Sequence, residues 1–225
     1  MKILVTGSSG QLGSELTKIC SNSSHEWIFT TSAELDFTEL ENIPIFLEKY
    51  MPDILINCAA YTNVEDAENE YQLANLINHE SVKLISKWTK NKCKLIHIST
   101  DYVFDGNINT PIKETFSTNP LNAYGKTKLM GDEACLYYNP DSMIIRTSLL
   151  YSIYGNNFVK NIISNMKLFQ EIKVVDNYIC SPTYAYDLAY FIYRIIKNGN
   201  WHAGIFNFSN KGKVSRYGFS LNIKD

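Results

Sequence analysis

The chain has 225 residues, 45% hydrophobic and 20% charged, with 21 basic against 23 acidic side chains. That length holds one α/β domain, or one domain and part of a second, and the apolar share excludes a disordered, tail-like chain. The net charge of −2, with Lys and Arg scattered and no basic stripe, gives no electrostatic reason to bind nucleic acid or an anionic membrane face.

The first strand-length apolar run is Ile3–Val5, and Gln11–Cys20 follows with Leu12, Leu16 and Ile19 on one helical face. Trp27–Thr30 reads as a second strand and Ile54–Ile56 as a third, entered from the breaker pair Pro52-Asp53. Helical periodicity covers Tyr71–Trp88, then Lys94–Ile98 reads as a fourth strand. Leu121–Tyr138 is helical, Met143–Arg146 is a fifth strand and Ile172–Val175 a sixth. Tyr186–Lys197 closes the series, with Leu188, Phe191, Ile192 and Ile195 at helical spacing. Strands that are continuously apolar are buried on both faces, which predicts an α/β fold with a doubly wound parallel (Rossmann) sheet. Residues 1–150 are expected to form the dinucleotide-binding domain. Residues 151–225 are expected to contribute to the sheet and to a small, partial substrate-binding domain. Asp105–Pro120, rich in Asn, Thr and Pro, is too short for a linker and is expected to pass over the site side of the sheet.

Five cysteines (Cys20, Cys58, Cys93, Cys135, Cys180) stand singly, and His25, His79, His97 and His202 are isolated. Neither a disulfide framework nor a metal site has its spacing here, so the thiols read as those of a reducing compartment. Met1–Val5 leads directly to Gly7 without the apolar region of a signal peptide, and no run approaches the ~20 apolar residues of a membrane span. The expectation is a soluble, cytoplasmic protein.

Gly7, Gly10 and Gly13 follow the first strand and open the first helix. Gly7 permits a tight turn, Gly10 lets backbone approach a pyrophosphate, and Gly13 lets helix and strand pack closely. The helix N-terminus supplies N–H groups and partial positive charge for the anion. A glycine triple alone also suits a plain turn; its position after strand one makes a dinucleotide the leading ligand. The second strand ends Phe29-Thr30-Thr31-Ser32 without carboxylate or arginine, so the choice between NADH and NADPH stays open.

Tyr124 and Lys128 lie one helical turn apart, on one face. An ammonium beside a phenol is expected to lower its pKa, and a drop of ~2–3 corresponds to roughly 3–4 kcal/mol. Such a tyrosine can protonate a ketone oxygen as hydride reaches carbon. Spacing alone says little: among 15 tyrosines, Tyr193 and Lys197 repeat it on an amphipathic helix edge. Tyr124 is distinguished by Ile98-Ser99-Thr100-Asp101 at the end of strand four, where Thr100 can hold a carbonyl oxygen. A strand-end hydroxyl capping backbone is the alternative for Thr100.

At these residues the chain resembles the dTDP-4-dehydrorhamnose reductase family of the extended short-chain dehydrogenase/reductase superfamily. The matching segments are Val5–Leu16 (VTGSSGQLGSEL), Leu35–Thr38, Pro52–Thr62, Ser99–Gly106 (STDYVFDG), Pro120–Lys128 (PLNAYGKTK), Arg146–Ser148, Asn156–Phe158 and Ser181–Thr183. The resemblance implies NADPH- or NADH-dependent reduction of the C4 ketone of a dTDP-linked 6-deoxy-4-keto sugar. It implies Gly10, Gln11, Leu12 and Gly13 at the pyrophosphate and Asp36 and Phe37 near the adenine. Ala59, Ala60 and Tyr61 would lie at the ribose, with Ile98 near the nicotinamide. Thr100, Tyr124 and Lys128 are the implied catalytic trio, Lys128 holding Tyr124 and the nicotinamide ribose, while Thr100 and Asp101 meet the sugar.

Two departures are visible. Leu149 stands where the family carries a tryptophan that stacks on the sugar, a contact of ~0.5–1.5 kcal/mol. The family also continues for several dozen residues beyond the segment matching Val214–Phe219, which raises the expectation of a truncated copy or a fragment. Some relatives form homodimers through a magnesium ion, and Glu15 matches one ligand position there, although a lone glutamate usually lies solvated on the surface. A dehydratase or epimerase is the enzymatic alternative, but dehydratases carry Glu after Thr-Asp and here Tyr102 follows Asp101. A non-catalytic dinucleotide-binding regulatory subunit is the alternative from another class.

Overall fold

The computed structural model describes residues 1–21, 23–108 and 110–224, so Asn109 of the expected Asp105–Pro120 crossing lies outside the described residues. Strand β1 (Lys2–Thr6) leads through the glycine loop to α1 (Gln11–Cys20), then β2 (Glu26–Thr30), α2 (Asn42–Tyr50) and β3 (Ile54–Asn57). Helices α3 (Tyr71–Asn75) and α4 (Ser81–Thr89) precede β4 (Lys94–Thr100), α5 (Ala123–Tyr138) and β5 (Met143–Thr147). After β6 (Leu150–Tyr151) come α6 (Phe158–Leu168), β7 (Ile179–Cys180), β8 (Thr183–Tyr184) and α7 (Ala185–Asn198). The last elements are β9 (Gly204–Phe208), β10 (Val214–Ser215) and α8 (Arg216–Lys224).

Six strands form one sheet in the order β2-β1-β3-β4-β5-β9, every pair parallel. Alternate strand residues serve opposite layers. Ile3, Val5, Ile54, Ile56, Ile96 and Ile145 pack against α1 and α7 through Leu12, Leu16, Leu188 and Ile192. Leu4, Leu55, Leu95 and Ile144 face the other layer with Ile43, Leu47, Val82, Ile85 and Cys135. Strands apolar at successive positions are therefore buried on both sides, as a doubly wound sheet requires.

Two elements differ from the sequence reading. The helical stretch Tyr71–Trp88 is interrupted between α3 and α4 by a π-helical turn at Leu76–Glu80. The widened turn buries Asn78, whose side chain accepts from Tyr61 N at 2.9 Å and donates to Thr127 Oγ1 at 3.1 Å, partners that periodicity does not reveal. Ile172–Val175 is not a strand; Gly204–Phe208 takes the place beside β5. Ile172 and Val174 are half-buried whereas Lys173 and Val175 are exposed, so this segment covers one face only. The edge is reached by the next parallel crossover, through α7.

The segment after β5 thus serves two places. Helix α7 and strand β9 complete the main sheet. The pairs β6·β8 and β10·β7 lie outside it, and α6 meets α8 where Phe158 and Phe219 stack at 5.9 Å. Among the described residues no helix is long and apolar enough to cross a membrane. Ile56, fully buried between β1 and β4, tests the central layer. Ile56→Ala is expected to lower stability by about 3 kcal/mol, read from the midpoint of chemical denaturation.

Candidate active site

The order of strands reverses direction at β1 and β3, so the loops leaving their carboxyl ends part and open a crevice. Gly7 sits there with φ of 66°, and a Cβ on it would lie 2.7 Å from the Ala59 backbone. Gly13 is equally constrained, since its Cβ would come within 2.5 Å of Gly7 O. Gly10 is different: it is exposed, and its Cβ would meet nothing closer than Gly7 O at 3.2 Å. Two glycines therefore clamp the loop and the third leaves an open backbone surface at the start of α1, whose first turn has no acidic residue. This cradle fits a dinucleotide pyrophosphate in charge and access. Leu12 lies in the core, so main-chain N–H groups rather than its side chain face the anion.

The ends of β2 and β3 supply further candidates. Phe29–Ser32 holds no carboxylate, but Glu34, just beyond it, folds back to the end of β2. Glu34 Oε2 accepts from Thr31 N at 2.6 Å and from Thr31 Oγ1 at 2.7 Å, and these bonds hold its pKa below the usual range. Asp36 is exposed and accepts from Thr38 N and Oγ1, each at 2.8 Å. Phe37 is 5% exposed and packs in the core cluster with Leu35 and Ile43. Ala59, Ala60 and Tyr61 are half-buried beyond β3; the Tyr61 hydroxyl donates to Glu70 Oε2 at 2.6 Å, and this bond pushes its pKa up to about 12.

Strand β4 delivers Ile98, Thr100 and Asp101 to the same edge. Thr100 Oγ1 accepts from Tyr102 N at 3.2 Å, so it does cap the following turn, and that bond orients it. Its hydroxyl also acts on the neighbouring Tyr124 phenol, tending to lower its pKa. Tyr124 lies in the first turn of α5, which begins there because Asn122 Oδ1 accepts from Gly125 N at 2.7 Å and Glu68 Oε1 from Ala123 N at 2.8 Å. The Tyr102 ring stands edge-on to Tyr124 at 5.6 Å. Lys128, one turn on, is 1% exposed and donates to Ile98 O at 2.7 Å; no hydrogen bond joins it to Tyr124 among the described residues. The second Tyr-x-x-x-Lys pair is structural: Lys197 lies over the Tyr193 ring at 5.7 Å.

Burial dominates the electrostatics and corrects one expectation. It pushes the Tyr124 phenol well above its ordinary value, rather than Lys128 lowering it, while Thr100 opposes the rise. Burial also pushes Lys128 down to about 8, and no carboxylate pairs with it among the described residues. Asp101 is raised, again chiefly by burial, with hydrogen bonds and Arg216 opposing. Leu149, directly beyond β5, has φ of 36°, a left-handed conformation that strains a bulky residue by ~1–3 kcal/mol. Glu15 is not a solvated surface residue: it is 1% exposed and accepts from Ser152 Oγ at 2.6 Å. Among the described residues no cluster of His, Cys, Asp and Glu could hold a metal ion.

The sequence profile of the RmlD substrate binding domain matches residues 1–225. The chain belongs to that family. It is similar to the dTDP-4-dehydrorhamnose reductase of Aggregatibacter actinomycetemcomitans, 36% identical over 230 residues, covering 100% of this chain and 78% of that protein. Among solved structures it is similar to a dTDP-4-dehydrorhamnose reductase from Clostridium acetobutylicum, with a TM-score of 0.93, 40% identity, and coverage of 99% of this chain and 79% of that one. The Bacillus anthracis str. Ames enzyme of the same name, solved in complex with NADP, gives a TM-score of 0.92 and 35% identity, covering 99% of this chain and 79% of that one.

Several residues of this RmlD-family chain escape sequence reasoning. Arg216, opening α8, donates from Nη2 to the Tyr102 hydroxyl at 2.9 Å and lies 4.5 Å over the Tyr178 ring, so the chain's last helix reaches the aromatic cluster around Tyr124. Glu34 and Glu68 lie in no motif or periodic pattern of the sequence. His97 had a signal, a polar residue inside the apolar run Lys94–Ile98.

The lone buried ammonium gives a direct test. Lowering its pKa from 10.5 to about 8 makes the charged form oppose folding by up to about 3 kcal/mol at pH 7. Lys128→Met is therefore expected to raise Tm at pH 7, an advantage that shrinks as pH rises from about 8 toward 10.5, where the native lysine is already neutral. Calorimetry across that range checks the sign.

Proposed function

We propose that this chain is an NADPH- or NADH-dependent reductase of the C4 ketone of a nucleotide-linked 6-deoxy-4-keto sugar, converting dTDP-4-dehydrorhamnose to dTDP-L-rhamnose. The observation that carries the reading is the meeting of an open glycine cradle with Thr100 and Tyr124 at one edge of the sheet. The names of the relatives support the substrate class, and the cofactor of the Bacillus anthracis structure supports the hydride source.

In this reading the cradle at Gly7, Gly10, Gln11, Leu12 and Gly13 binds the pyrophosphate. The edge at Asp36, Ala59, Ala60, Tyr61 and Ile98 lines the rest of the cofactor. The dihydronicotinamide supplies the hydride that reduces the carbonyl carbon. Thr100 Oγ1 and the Tyr124 hydroxyl hold the carbonyl oxygen, and Asp101 with Leu149 bounds the sugar. As C4 accepts hydride its oxygen becomes an alkoxide, a far stronger base than a phenolate. Tyr124 gives its proton to that oxygen and recovers one from solvent afterwards. A phenol held above its ordinary pKa suits this role, because it stays protonated until the alkoxide forms. Lys128 would hold the nicotinamide ribose and supply positive charge on the Tyr124 side of the site. The layer formed by α6, α8 and the two short strand pairs is the substrate side, in a division near residue 150.

The purified chain is expected to oxidise NADPH or NADH in the presence of dTDP-4-dehydrorhamnose. Cofactor binding without turnover would instead favour the regulatory-subunit reading. Tyr124→Phe is expected to reduce kcat at least a thousandfold, at the scale of ~10²–10⁴ for general acid catalysis, while leaving cofactor affinity within a few-fold. In the wild type kcat is expected to fall as pH rises through about 8, where Lys128 loses its charge, and not near the higher range of Tyr124.

A further inference from the structure

A file of buried polar side chains crosses the sheet beneath the catalytic edge and ends on Lys128; the hydride-transfer scheme uses that lysine but none of the residues behind it. The parallel register sets Thr6 beside Asn57 and Asn57 beside His97. Thr6 Oγ1 donates to Asn57 Oδ1 at 2.7 Å, Asn57 Nδ2 meets His97 Nδ1 at 3.2 Å, and His97 Nε2 meets Lys128 Nζ at 3.4 Å. Thr6 and Lys128 are 1% exposed, Asn57 and His97 0%. Water does not reach such groups, so each must be satisfied by its neighbours.

The file has two self-consistent polarities. With Asn57 Nδ2 donating to His97 Nδ1, the imidazole proton sits on Nε2 and points at Lys128, where only a neutral amine offers a lone pair. Turning the Asn57 amide over reverses every bond. Asn57 Oδ1 then accepts from Nδ1–H, His97 Nε2 accepts from the Lys128 ammonium, and Asn57 Nδ2 donates to Thr6 Oγ1. The Thr6 hydroxyl can serve either way. His97 itself stays neutral, because burial and Lys128 both disfavour its cation.

The other groups facing Lys128 leave this role to His97. Asp132 and Cys135 of α5 and Cys58 beyond β3 lie near it. Asp132 is engaged by Arg146 of β5, with Nε 3.0 Å from Oδ2, and its Oδ1 is 3.9 Å from His97 Nε2. Burial holds both thiols in the uncharged form. Apart from Ile98 O, His97 is the acceptor for the Lys128 ammonium.

We propose that His97 is the positioning residue for Lys128, and that Thr6 and Asn57 extend its action by fixing which way the hydrogen bonds run. The catalytic importance of this arrangement rests on the reductase reading above; the coupling itself does not. Two measurements test it: the ¹³Cε titration of Lys128 in lysine-labelled, cofactor-free protein, assigned by its loss in Lys128→Met, and the alkaline limb of kcat. His97→Phe removes the acceptor and is expected to move both midpoints about one pH unit lower, a tenfold loss of the charged form above the limb. His97→Gln, whose amide oxygen can accept from the ammonium, is expected to restore most of that shift. Asn57→Asp, which holds Nδ1–H in place, is expected to move both midpoints higher, and His97→Phe in the same chain is expected to abolish that rise.

Should His97→Phe fail to fold, Asn57→Asp still decides the matter, because only a rise of both midpoints in that variant upholds the coupling. Midpoints unmoved in all the folded variants overturn the proposal. If the wild-type chain does not reduce the sugar, ¹³Cε midpoints that still move in the variants uphold the coupling and overturn the reductase assignment instead.

Discussion

All six strands of the main sheet run the same way, and the site depends on that constraint. Parallel order brings the carboxyl end of each strand to one edge, where Thr100 ends β4 and Gly7, Thr31, Ala59 and Leu149 lie just beyond four others. The chain crosses to the far side of β1 on leaving β2, and this change of direction parts the loops beyond β1 and β3. The parting is narrow. Gly7 and Ala59 approach so closely that any side chain at position 7 would collide with backbone. That contact fixes the loop after β1 against the loop after β3.

Desolvation, rather than the mutual attraction of a phenolate and an ammonium, governs the chemistry at that edge. Burial drives Tyr124 toward its protonated form and Lys128 toward its neutral one. For a reductase the first effect is useful, since the acid is retained until a strong base appears. The second carries a stability penalty, as for other buried cations without a carboxylate partner. Arg146, by contrast, has the Asp132 carboxylate as its partner. Lys128 has a carbonyl and an imidazole instead.

The chain beyond residue 150 is less a separate body than a return to the first. Helix α7 lies against α1, and β9 extends the sheet on the far side of β5. Glu15 of α1 is buried against Ser152, a bond joining residues 137 positions apart. Arg216 closes the same circuit from the other end by meeting Tyr102. Leu149 is held in a left-handed conformation just past β5, so strain and long-range contact shape this end of the sheet more than any one motif does.

The α/β class, the first five strands and the positions of α1, α5 and α7 were legible in the sequence, because periodic burial follows from local chemistry. Ile3, Val5 and Leu4 divide between two layers through the alternation of a strand. Gly7, Gly10 and Gly13 announced a close backbone turn, and STDYVFDG with PLNAYGKTK marked the edge residues. The remainder depended on partners distant in the chain. The π turn at Asn78 exists for Tyr61 and Thr127, and the edge strand is β9 because α7 delivers it there. Phe37 packed into the core, and Glu34 turned back to the end of β2. The direction of the Tyr124 shift was invisible for the same reason: spacing sets which side chains share a face, but only the assembled layers decide how much water each one keeps.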